Sequence, residues 1–260
     1  MTEFARSGAY PWALTGIFAA VHLVITLIPF SLSVSGTGAI SFGMISASIV
    51  GYLLGPFFGT VSVLIGSYLG IFINPEIAIL GLTTPIATAA GALAAGLLRV
   101  RKPIFIPIIY VAAMILYLVG PIGPQVPELL WFHVIVFILS LLFLVPKISG
   151  RLLDELDMKK TITARVLFLF ALVAVTLDQI VGSAIGTYYL VFVAGFDVSL
   201  VTTWFVAAIF IYPVERILGA IIIVFILRAL VESLSTAYFD LPTMPFGTRS
   251  SEELSPQEVD

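Results

Sequence analysis

Four ionisable side chains and one amide interrupt an overwhelmingly apolar stretch, Thr176 to Arg228: Asp178, Gln179, Asp197, Glu215 and Arg216. Carboxylates and a guanidinium in one stretch can pair with each other, or can hold the charged group of a small ligand. Charge at membrane depth is costly, so each is a candidate site residue until a structural job accounts for it. Tyr188, Tyr189, Trp204 and Tyr212 lie between the two polar pairs, where they could wall a pocket or form an interfacial aromatic belt. The remaining binding candidates are His22, mid-way along the first apolar run, and Asn74, which opens the turn Asn74-Pro75-Glu76.

Other chemistries find no support in the residues. The chain has no cysteine, which excludes disulfides, thiolate metal sites and a cysteine nucleophile. Its two histidines, His22 and His133, are too few for a multi-histidine metal centre, and no metal or cofactor is expected. HExxH is absent, Ser33-Val34-Ser35-Gly36 lacks the first glycine of a serine elbow, and Gly36-Thr37-Gly38 has no following GK[ST]. The net charge of −3 comes with no basic stripe, so no nucleic-acid partner is expected. The acidic run Asp154 to Asp157 (DELD) could hold magnesium for a diphosphate substrate, but no second acidic cluster completes such a site. Alternation with Leu152, Leu153 and Leu156 fits an amphipathic turn at an interface better.

The elements that must position these groups are membrane helices. Of 260 residues 60% are hydrophobic and 10% charged, with mean hydropathy +1.15. A soluble domain of this length could not cover so much apolar surface. The expected fold is all-α, a polytopic helical membrane protein of about eight spans in the cell membrane, in contact with membrane lipid. Residues 1–235 form the membrane domain, and 236–260 read as a disordered acidic cytoplasmic tail. The first apolar run, Pro11 to Pro29, is read as a retained helix rather than a signal peptide. Phe42 to Ile73 is too long for one crossing of about 20 residues and should split at Gly55-Pro56. Ile77 to Leu98, Pro103 to Gly120 and Leu129 to Val145 follow as spans.

Basic residues set the orientation. Arg6, the Arg99–Lys102 cluster and the Lys147–Arg165 cluster fall on one side, the cytoplasm, and so do both termini. The opposite loops, 30–40, 74–82 and 120–128, contain no Lys or Arg. Arg165 and Arg228 share the inner side, so spans 162–182 and 213–232 leave the apolar stretch 183–212 to re-enter the membrane or to form two short spans broken at Phe196-Asp197. Either way Asp178, Gln179, Glu215 and Arg216 gather towards the outer side, with Pro213 opening the last helix and Asp178 or Glu215 as partner for Arg216.

Several stretches together resemble the substrate-binding S components of energy-coupling factor (ECF) transporters. They are ALTGIFAA (Ala13 to Ala20), GYLLGPFFGTVSVLIGSYLG (Gly51 to Gly70), AAGALAAGLLRVRKP (Ala89 to Pro103) and YPVERILGAIII (Tyr212 to Ile223). The resemblance covers roughly 11–102 and 165–232. It departs from the family's usual six spans by an added pair, 103–145, and carries no vitamin-specific signature. It implies a six-helix bundle plus that pair, with no enzymatic activity of its own. Such a subunit captures a micronutrient in an outward cavity and works with a T component and ABC ATPase subunits. By the same resemblance, Ala13, Gly16 and Ala20 would form the coupling face for the T component, since small residues allow close helix approach. The competing class is a membrane enzyme acting on a lipid or isoprenoid, with the DELD run or the Asp178/Arg216 region as its site; a third is a non-catalytic scaffold.

Overall fold

In this computed structural model the described residues are 9–28, 42–78, 80–156 and 163–236. Among them the chain is all-helical, with eight α-helices in order: α1 (Ala9–Thr26), α2 (Gly43–Ile73), α3 (Thr84–Arg99), α4 (Phe105–Leu118), α5 (Leu130–Ser140), α6 (Pro146–Glu155), α7 (Ala164–Tyr188) and α8 (Val198–Thr236). The acidic tail, Arg6 and the loop 30–40 lie outside the described residues. Among the described residues four helical segments are long and apolar enough to cross a membrane: Ala9–Thr26, Gly43–Ile73, Gly81–Arg99 and Ala164–Val193. A fifth is added if the bent pair Pro127–Phe143 and Pro146–Glu155 counts as one. Part of the gap from eight comes from α4, whose 14 residues fall short of a crossing, and from the folded form of α2.

The chain reverses within α2. Gly55 takes φ 81° and ψ −179°, a conformation open to glycine, and Pro56 then starts the second half. In a straight helix Gly51 and Gly59 would stand about 12 Å apart. Instead a Cβ built on Gly59 would meet the Gly51 Cα at 2.7 Å. The two halves, 43–54 and 56–73, therefore form a tight helical hairpin, as the Gly-Pro step predicts.

Glycines set the spacing throughout this end of the chain. Gly51 lies against the Ala92 backbone of α3, Gly96 against Pro56, and a Cβ on Gly66 would stand 2.5 Å from the Ala19 carbonyl of α1. In lipid no hydrophobic force draws helices together, so this dense backbone packing supplies the attraction. The other face of α1 is open. Ala13, Gly16, Ile17, Ala20 and Val21 are all exposed, and a Cβ on Gly16 would meet nothing within 4 Å.

The rest of the bundle is filled by large side chains. Tyr52, Tyr110, Tyr117, Phe143 and Phe170 are among the largest fully buried. Each tyrosine hydroxyl finds a backbone acceptor: Leu156 at 2.8 Å, Val173 at 3.3 Å and Val126 at 2.9 Å. Helix α6 bends 91° from the α5 segment, and Arg101 pairs with its Asp154 at 2.5 Å. That fits the amphipathic turn expected for the DELD run, of which Asp157 lies outside the described residues.

The stretch 183–212 is made of the ends of two long helices, and the chain breaks between them at 194–197, where the Phe196-Asp197 break was expected. Helix α7 continues to Tyr188 and through a π turn at Tyr189–Val193, the chain turns at Gly195 (φ 72°), and α8 starts at Val198. Pro213 is thus inside α8, not at its start. A proline there cannot bond the carbonyl four residues back, that of Ile209. The Trp131 indole N–H of α5 donates to that carbonyl at 3.1 Å, which is how the helix tolerates the proline.

Candidate functional site

At the end of the bundle that carries Asn74, opposite Arg99, α2, α3, α7 and α8 surround a cavity of about 250 Å³. Asp178 and Gln179 reach it from the mid-part of α7, where Gly91 of α3 makes room. A Cβ on Gly91 would stand 3.1 Å from the Asp178 Cβ. Trp204, Glu215 and Arg216 reach it from α8, on either side of Pro213. Six of the sequence candidates, Asp178, Gln179, Trp204, Tyr212, Glu215 and Arg216, therefore meet at one cavity, although Gln179 and Arg216 are 37 residues apart.

The pairing differs from expectation. Among the described residues the one ion pair within 4.0 Å is Arg101–Asp154, so Arg216 is not salt-bridged to Asp178 or Glu215. Its Nε donates to Gln179 Oε1, and its Nη1 rests on the Met44 sulfur, a weak acceptor. Arg216 still interacts electrostatically with both carboxylates at longer range. Asp178 is 8% exposed, and its Oδ2 is fully buried without a hydrogen-bond partner. Glu215 is also buried.

Three expected binding residues do something else. His22 is wholly buried between α1 and the α2 hairpin, with Nδ1 2.7 Å from Ser46 Oγ and Nε2 2.9 Å from Ser67 Oγ. Ser46 Oγ donates onward to the Gly43 carbonyl, so the network closes with the proton on Nδ1 and Ser67 donating to Nε2. His22 thus ties the two halves of the hairpin together and does not line the cavity. Asn74 caps the short turn Pro75–Ile77, its side chain accepting from the Glu76 amide at 3.1 Å. Tyr188 points towards α4, its hydroxyl donating to the Leu116 carbonyl at 3.3 Å. His133 is buried in α5, with Nδ1 donating to the Leu129 carbonyl at 3.1 Å, and is likewise off the cavity.

Asp197 also has a structural job. Its Oδ1 accepts from the Ser199 amide at 2.8 Å and the Ser199 hydroxyl at 2.5 Å, capping the start of α8. The Ser199 hydroxyl and then its amide hold the Asp197 carboxyl below the ordinary value. Walls that sequence reasoning missed include Thr26, Met44, Ser67, Thr84, Thr88 and Ser183. Thr84 and Thr88, four apart on α3, carried a usable signal, since that spacing puts both on one helix face. Met44 carried none. No group of three or more metal-ligating side chains occurs among the described residues.

No family model matches the chain, and no solved structure matches it. It is similar to a protein of Methanocaldococcus jannaschii described as uncharacterized, with 26% identity over 175 residues. That alignment covers 67% of this chain and 57% of the relative's length, so the relative extends well beyond the matched part.

Proposed function

We propose that this chain is the substrate-capture subunit of an ECF-type ABC transporter, a multi-pass protein of the cell membrane with both termini in the cytoplasm. It takes up a vitamin-sized micronutrient and delivers it with a T component and ABC ATPase subunits. The observation that carries the reading is the cavity, in which Asp178, Gln179, Glu215 and Arg216 meet beside Trp204. Polar and charged groups converging on a cavity with apolar and aromatic walls are what a small-molecule site needs. The cavity lies at the end whose loops lack basic residues, the outer end by the positive-inside rule. Two features support the coupling half of the reading. The Ala13, Gly16 and Ala20 face of α1 is exposed. The hairpin at Gly55 and the small-residue contacts of α1–α3 build a rigid body that such a face can present.

The test is co-purification. Gly16→Leu adds a side chain where nothing stands within 4 Å, so the variant should melt like the wild type in detergent. It should nevertheless lose association with a co-expressed T component. Retained association would sink the coupling assignment. Native mass spectrometry of the wild type should show a bound molecule of vitamin size.

A further inference from the structure

Asp178 is the anomaly within the cavity. No described residue donates a hydrogen bond to it, although it is 8% exposed. A buried carboxylate without a partner is strongly destabilising unless something neutralises it. Arg216 stands more than 4.0 Å away, with Nε committed to Gln179 and Nη1 to Met44. The charge count points the same way. The cavity walls hold two carboxylates, Asp178 and Glu215, against one guanidinium, Arg216.

We infer that the ligand is a small organic cation with an N–H donor, bound by its donor to the Asp178 carboxylate in a cavity walled by Trp204. This rests on reading the cavity as the capture site. A cation supplies the missing charge and the missing donor together, in a charge-assisted hydrogen bond. An aromatic wall adds cation–π attraction, strongest for tryptophan. An anion would enter a net negative site. Size narrows the class further. At about 250 Å³ the cavity has room for one substituted ring.

The experiment uses the full-length protein in detergent, titrated with benzamidine, benzyl alcohol and benzoate while thermal unfolding is followed. These three share a ring and differ in charge. Benzamidine should raise the melting midpoint and the other two should not. Asp178→Asn keeps the shape and removes the charge, and should raise the apparent Kd for benzamidine roughly ten- to hundredfold. If that variant is not monodisperse, Glu215→Gln should weaken benzamidine in the same direction. Equal stabilisation by benzyl alcohol would overturn the inference, because Asp178 would then carry its own proton. Preference for benzoate, no response to any probe, or an unchanged Kd in a folded Asp178→Asn protein would overturn it too. Association with a T component is measured separately. Benzamidine binding without that association would remove the transporter reading alone, whereas association with benzoate preference would remove the cation alone.

Discussion

Helices α1 to α3 meet through backbone, with Gly51 on Ala92, Gly96 on Pro56 and Gly59 on Gly51. Helices α4, α5 and α7 meet through rings and long side chains. Tyr110 of α4 packs against Phe137 of α5 with ring centroids 6.2 Å apart and bonds the Val173 carbonyl of α7, while Phe170 of α7 carries the same ring packing on to Tyr52 of α2 at 5.3 Å. At these three contacts there is no space for an added methyl, and the atoms in the way are backbone, so no side chain could rotate aside to make it. In the second, volume is supplied by a few large groups that leave voids when removed. The two regions should fail by opposite routes, one by overfilling and the other by emptying.

The largest effect is expected in the first. Gly96→Leu forces apart backbones at the hairpin turn, and rotamer changes cannot relieve it, so the loss should reach about 3 kcal/mol or more. Monodisperse yield after extraction should collapse. Phe170→Ala should cost a similar or slightly smaller amount, about 3 kcal/mol. It should still give folded protein with a lower melting midpoint. If Phe170→Ala is lost entirely while Gly96→Leu survives, the contrast between the two regions is wrong. Trp131→Phe is the mildest, at about 1 kcal/mol for one backbone acceptor. Its effect should show as faster amide exchange near Pro213 with little change in melting.

Much of this was readable beforehand, for reasons that can be traced. The Gly55-Pro56 break was visible because both residues restrict the backbone locally, whatever packs around them. Asp178, Gln179, Glu215 and Arg216 stood out because polar groups in apolar runs are costly. Direction was harder. Tyr188 lies ten residues after Asp178, about 80° round the helix, which takes it off the cavity and onto α4. That much was calculable. The role of His22 was not, since its partners Ser46 and Ser67 come from two arms of a hairpin whose contacts sequence spacing does not reveal. The Arg216–Met44 contact spans 172 residues and left no trace in the pattern. The run 183–212 misled because Pro213 reads as a helix start, and the group that lets it sit inside α8 belongs to another helix.

That indole bond has a mechanical consequence. As a straight rod, the 39 residues of α8 would measure about 58 Å, nearly twice the thickness of a hydrocarbon core. The arm before Pro213 is greasy on its outside, with Leu200, Val206 and Phe210 all exposed, so it prefers lipid to water. A helix longer than its bilayer tilts or bends, and the cost grows with each ångström of mismatch. In α8 the helix's own bonding is interrupted at Pro213, and Trp131 takes up the freed carbonyl there, two residues from Glu215 and three from Arg216 along the chain from that proline. In a bilayer thinner than α8 is long, the strain would fall first on the Trp131–Ile209 bond.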